Sequence, residues 1–139
     1  KKAFLTFYDW QHNSRESVTL KKFKPLRISG CDESMAPRVN GYYVPTSKMS
    51  DGWPIYEMRD STNSIILEYS SKAGTWQIKK SADQGKNAGL AFCKGIAETS
   101  PELLNQPWSV WKRSARKWVR QPINVVSAAS DANSNPTLA

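Results

Sequence analysis

The sequence predicts an all-β domain, a small antiparallel sandwich or partly open barrel of about seven to nine strands. Three observations carry this. Between Val39 and Ile78 four short aromatic and β-branched runs, V-N-G-Y-Y-V-P, G-W-P-I-Y-E-M, I-I-L-E-Y-S and G-T-W-Q-I, are separated by segments holding Gly, Pro, Asp, Asn or Ser. Within the last run Trp76 and Ile78 share one parity and Thr75, Gln77 and Lys79 the other, a period of two that belongs to strands. The seven glycines, at 30, 41, 52, 74, 85, 89 and 95, sit singly where turns are expected. At most one short helical turn and a flexible C-terminal tail complete the expectation.

Taken in order, Lys1 to Trp10 carries apolar residues on both parities, as in a strand covered on two faces or an arm that docks elsewhere. Ser17 to Leu26 reads as a strand with a basic edge, in which Lys21, Lys22 and Lys24 either discourage edge pairing or meet phosphate. Leu26 to Ile28 alternates and stops at Ser29-Gly30, and Cys31 to Arg38 is a polar loop. Asn40-Gly41 is a two-residue turn candidate, because both central positions of a type I′ turn need positive φ, so Val39 is expected to end one strand and Tyr42 to begin the next. Pro45 to Asp51 reads as a loop, Ile55 to Met58 and Ile65 to Tyr69 as strands, and Thr75 to Lys79 as a strand with one buried and one wet face. A polar connection, Ser81 to Ala88, leads to a short strand ending at Cys93, and Ser100-Pro101-Glu102 starts a single helical turn.

Trp108 to Arg120 has two readings. Trp108, Trp111, Ala115 and Trp118 would line one face of a basic amphipathic helix, a form that lies on anionic membranes or in partner grooves. Alternatively W-S-V-W and K-W-V-R-Q are the arms of a hairpin turning through Lys112 to Arg116, and the neighbouring β-rich context favours this. Pro122 to Val126 is a last strand, and the small, polar residues from Ser127 onward read as a disordered or partner-ordered tail.

The formal charge of +8 is unevenly placed: residues 1–30 hold seven basic and two acidic residues, 31–104 eight and nine, and 105–139 five and one. A near-neutral body with two basic ends fits an acidic protein, nucleic acid or an anionic membrane surface. Six Trp, five Tyr and four Phe supply a core for one domain of 139 residues. No apolar run is long enough for a transmembrane helix. The chain begins with Lys rather than Met, and the expectation is an intracellular protein, organellar if a leader has been removed. Cys31 and Cys93 are too few for a disulfide scaffold or a cysteine-pair zinc site; two buried thiols is the simpler reading, one disulfide the alternative.

The ordered succession V-N-G-Y-Y, G-W-P-I-Y, I-L-E-Y, G-T-W-Q-I, A-F-C, S-P-E-L, W-S-V-W and K-W-V-R-Q-P-I-N-V resembles a small tryptophan-punctuated β-domain of uncharacterised function in proteins of algae and related protists. The resemblance covers residues 28–126, implies a single β-domain, favours the hairpin at Trp108 to Arg120 and carries over no catalytic residue. The expected organisation is therefore an N-terminal basic and aromatic arm or extra strand (1–27), the β-domain (28–126) and a tail (127–139).

Catalytic constellations are thin. His12 is the only histidine and falls in a polar loop, Glu57 and Glu68 are either an acid/base pair or outward residues in surface ion pairs, and there is no glycine-rich phosphate loop. Trp108, Trp111 and Trp118 among five basic residues either stack nucleic-acid bases or alternate into the core. The expected function is a non-enzymatic structural or interaction subunit, without cofactor, metal or catalytic residues, that docks on other protein subunits. The candidate partner-binding residues are Phe4, Phe7, Tyr8, Trp10, Lys21, Lys22 and Lys24 toward the N-terminus and Lys112, Arg113, Arg116, Lys117 and Arg120 toward the C-terminus. Binding of RNA or another single-stranded nucleic acid is the first alternative, and peripheral binding to an anionic membrane the second.

Overall fold

The computed structural model of the chain describes residues 23–59 and 62–128. Nine strands form one antiparallel sheet: β1 (Leu26–Ser29), β2 (Gly41–Ser50), β3 (Trp53–Met58), β4 (Ile65–Ser70), β5 (Thr75–Lys80), β6 (Ala91–Lys94), β7 (Trp108–Lys112), β8 (Lys117–Gln121) and β9 (Asn124–Ser127). Their spatial order, β8-β7-β6-β5-β4-β3-β2-β1-β9, is a meander whose last strand returns to the first. Eight antiparallel steps separate β8 from β9, so the two run in the same direction, and only Pro122 and Ile123 lie between them. They are two halves of one bent strand, the first pairing with β7 and the second with β1. The sheet is thereby rolled into the partly open barrel that the sequence predicts.

The bend is a three-residue turn in which Ile123 N–H donates to the Gln121 carbonyl at 2.9 Å. Proline suits its centre, because its φ is already fixed and it has no N–H to leave unpaired. Gly30, with φ of 96°, lies directly against this bend: a Cβ there would fall 2.3 Å from the Pro122 carbonyl oxygen, so the close approach requires glycine. Asp32 N–H donates to Gln121 Oε1 at 2.8 Å, and Gln121 Nε2 returns a bond to Asp32 Oδ2 at 3.1 Å. These contacts join the loop after β1 to the end of β8.

Inward residues alternate along the strands. Leu26 and Ile28, Tyr43, Tyr56, Ile65, Leu67, Tyr69, Trp76, Ile78, Ala91, Cys93, Trp108 and Val110 are buried in one core. Trp76 is its centre, with ring centroids of Trp53 at 5.5 Å, Tyr69 at 5.4 Å and Tyr56 at 6.3 Å. Trp53, Tyr56, Tyr69 and Trp76 thus serve packing. The indoles of Trp53 and Trp76 donate to the carbonyls of Ala97 and Thr99, which ties the β6–β7 connection across one end of the barrel. In that connection the expected single turn is a 3-10 turn, Pro101–Leu103, which packs against β9.

Two local expectations are corrected. Val39 does not end a strand: Ala36–Val39 is a helical turn, α1, held by Asp32 O accepting from Met35 and Ala36 N–H and by the buried Tyr43 hydroxyl donating to Val39 O at 2.7 Å. Asn40 has φ of −75°, and its side chain accepts from Cys31 N–H, so the residue ties a loop base instead of making a type I′ turn. The type I′ turn is at Asp51-Gly52, both with positive φ (51° and 91°), between paired Ser50 and Trp53. Pro45 to Asp51, expected as loop, is mostly strand: β2 runs through Ser50 with a register irregularity between Pro45 and Met49. Pro45 lacks the N–H that a regular ladder uses, and the irregularity absorbs this. The arm through Trp10, His12 and the strand expected from Ser17 lie outside the described residues up to Lys22, as does the tail beyond Ala128.

Candidate functional site

The hairpin reading of Trp108 to Arg120 holds: β7 and β8 pair from Trp108 opposite Gln121 to Lys112 opposite Lys117, and Arg116 takes positive φ in the turn. Alternation then divides the tryptophans. Trp108 and Val110 are buried inside, so Ser109 and Trp111 point outward on β7, with Trp118 and Arg120 outward on β8. On β6, Ala91 and Cys93 are inside, and Phe92 and Lys94 point out. The expectation that the tryptophans alternate into the core is right for Trp108 and is corrected for Trp111 and Trp118.

The three outward rings form one cluster. Trp111 and Trp118 are a cross-strand pair, edge to face with centroids 5.3 Å apart, and Trp118 also meets Phe92 edge to face at 4.8 Å. Phe92 and Trp118 are two strands apart, and Ser109, opposite Phe92 on the intervening strand, is small enough to let their rings meet. Trp118 remains 43% exposed. It forms one wall of a cleft of about 320 Å³ lined further by Phe92, Thr75, Gln77, Asn87, Ala88 and Gly89.

Cations surround this cluster. Arg116 and Arg120 stand exposed two residues to either side of Trp118, Arg113 is exposed at the hairpin tip, and Lys94 is exposed two residues beyond Phe92. Lys112 and Lys117 face each other across the last pair of the ladder, a like-charge juxtaposition that opposes hairpin formation. From Asn105 to Ala128 the chain has five basic residues and no acidic one. Among the described residues none of these five is ion-paired. The C-terminal candidate residues are thus gathered at one hairpin. Lys24 is exposed near β1, beside Ser127, at the opposite end of the bent closing strand, and does not join them. Phe4, Phe7, Tyr8, Trp10, Lys21 and Lys22 lie outside the described residues.

Next to the aromatic cluster, the outer face of β4 and β5 is built differently. The expected wet face of β5 is mostly covered: Lys79 is 1% exposed and Gln77 4%, Thr75 is half-buried, and Glu68 of β4 is 2% exposed. The connection after β5 folds back over them. Lys79 Nζ donates to Glu68 Oε2 at 2.6 Å, to Gln77 Oε1 at 2.5 Å and to the Lys86 carbonyl at 2.7 Å, while Gly85 N–H donates to Glu68 Oε2 at 2.8 Å. All three ammonium protons are used. Glu68 is therefore in a buried rather than a surface ion pair, and Glu57, exposed on β3, has Ile66 and not Glu68 as its cross-strand partner. A polar cleft of about 560 Å³ adjoins this network, lined by Ser50, Asp51, Ser70, Lys72 and the Gly85–Asn87 backbone turn. There the Asp51 carboxylate accepts from Ser71 N–H (2.7 Å) and hydroxyl (2.9 Å), which holds its pKa below the usual aspartate range.

The two cysteines are free and buried, so the disulfide alternative is set aside. Burial raises both thiols to about 11, with the Asp32 charge adding to the effect at Cys31. Among the described residues no three His, Cys, Asp or Glu side chains gather where they can hold a metal ion, and no helix is long and apolar enough to cross a membrane.

Comparison of the chain with family models, with curated proteins and with solved structures gave no match.

Proposed function

We propose that the chain is a non-enzymatic binding module that docks on an anionic surface of a larger assembly through the outer face of β6, β7 and β8. One observation carries the reading: Trp118, 43% exposed, stands between Arg116 and Arg120 in a segment without a carboxylate. An exposed tryptophan on an edge strand does nothing to protect that edge, whereas aromatic and arginine side chains together dominate binding hot spots. The unpaired, mutually repelling cations of the hairpin support an anionic partner, because bound negative charge relieves their repulsion. The barrel is the scaffold, and the saturated Glu68–Lys79–Gln77 network is a structural device on its flank.

The test is migration of the chain in native extract. At low salt the unaltered chain runs above the size of a monomer, and charge reversal at Arg113, Arg116 and Arg120 returns it to monomer size with an unchanged circular-dichroism spectrum. Monomer-sized migration of the unaltered chain overturns the docking reading.

A further inference from the structure

The cleft between the aromatic cluster and the β5–β6 connection has more definition than a charged patch. Its wall is Trp118 and Phe92, and its floor carries the side chains of Thr75, Gln77 and Asn87. The floor is ordered by the buried network. Gln77 gives its carbonyl oxygen to Lys79, and its amide donates to Thr75 Oγ1 at 2.9 Å and Asn87 Oδ1 at 3.3 Å. That arrangement fills one lone pair on each of the Thr75 and Asn87 oxygens and leaves the Thr75 hydroxyl proton and the Asn87 amide protons available to a ligand in the cleft they line. An aromatic wall, two fixed donors and cations at Arg116, Arg120 and Lys94 are three separate demands on one ligand: a flat ring, carbonyl-type acceptors on its edge, and phosphate charge on either side.

We infer that this cleft seats a base of a single-stranded nucleic acid, stacked on Trp118 with its carbonyl edge toward Thr75 and Asn87, while the flanking phosphates lie against Arg116, Arg120 and Lys94. The inference rests on the reading of the β6–β8 face as an anion-binding surface and narrows its ligand. An acidic peptide satisfies the cations and can accept from the floor donors, but it has no flat ring to stack on the aromatic wall. Uracil satisfies all three, and an unstacked uridine strand has little base stacking to give up on binding.

The test uses the full chain and a uridine oligonucleotide of about ten residues, with a polyglutamate peptide as the second probe. Three phosphate contacts give a log affinity against log salt slope of about −2 for the oligonucleotide, and Arg116→Ala with Arg120→Ala makes it shallower by about 1.4. Trp118→Ala weakens binding about tenfold or more and Trp118→Phe restores part of it. Asn87→Ala lowers affinity for oligouridine without changing the salt slope. If oligouridine binds with full affinity to Trp118→Ala while the arginine variant loses it, the base-seating inference is overturned and the anion-docking reading stands. If polyglutamate binds and oligouridine does not, the result is the same. Failure of both probes at low salt overturns both readings.

Discussion

Two neighbouring regions of the barrel's outer surface are made of opposite materials. On β4 and β5 a carboxylate, an ammonium and an amide are closed off from water beneath the connection that follows β5; on β7 and β8, two strands further around, the surface carries rings left open to solvent. In both places strand alternation sends the side chains outward, and what differs is whether the chain folds back over them. Ser81 to Asn87 returns across β5, because Lys86 O and Gly85 N–H find partners there. The connection after β8 is only Pro122 and Ile123, too short to cover anything. The lesson is that burial on the outside of a barrel is decided by loop length and loop hydrogen bonding as much as by side-chain polarity.

The largest effect is expected from breaking the covered region. Lys79→Met leaves the Glu68 carboxylate buried without its counter-charge and should cost about 3–5 kcal/mol. For a domain of this size that lowers Tm by about 10–20 °C, read by thermal unfolding. Glu68→Leu combined with Lys79→Met should recover most of the loss, since removing both charges removes the desolvation problem. A single-variant loss below about 1 kcal/mol would mean that water reaches the pair.

The exposed region should respond far less. Trp118→Ala removes its two edge-to-face contacts, each worth about 0.5–1.5 kcal/mol, from a site already half open, so a loss of about 1–2 kcal/mol is expected. The same substitution should reduce the tryptophan emission that acrylamide quenches, because Trp118 is exposed whereas Trp76 and Trp108 are inside. The smallest effect belongs to the polar cleft beside the buried pair. The bonds from Ser71 favour ionised Asp51 in the folded state, so its contribution is present above the pKa of an unfolded aspartate and is lost as pH falls below about 4. Asp51→Asn should flatten that acid limb of the stability curve and leave neutral-pH stability nearly unchanged.

How much of this was legible in the sequence follows from which interactions are local. The period of two in Thr75 to Lys79 and the Pro and Gly punctuation are local, and the strands from β3 to β8 fall close to where they predict. The Asp51-Gly52 turn was equally local, but Asn40-Gly41 carried the same chemistry, and only the non-local bond from Cys31 to Asn40 distinguishes them. The burial of Lys79 was not legible, because its partners Glu68 and Lys86 come from a neighbouring strand and a returning loop. The orientation of Trp111 and Trp118 followed from the hairpin register once Trp108 was placed inside. What the sequence did not contain in readable form was the small residue at Ser109 that lets Phe92 join them.

In the proposed docking mode the ring cluster on β6–β8, and not the core aromatics, meets the ligand. The most direct measurement is a two-dimensional ¹H–¹⁵N spectrum of the indole N–H groups during titration with oligouridine and, separately, polyglutamate. Signals of Trp111 and Trp118 should move with oligouridine, and those of Trp53, Trp76 and Trp108 should stay in place. Shifts confined to Trp53 and Trp76, whose indoles are bound to Ala97 and Thr99, or no shift with either polyanion, would contradict the claim.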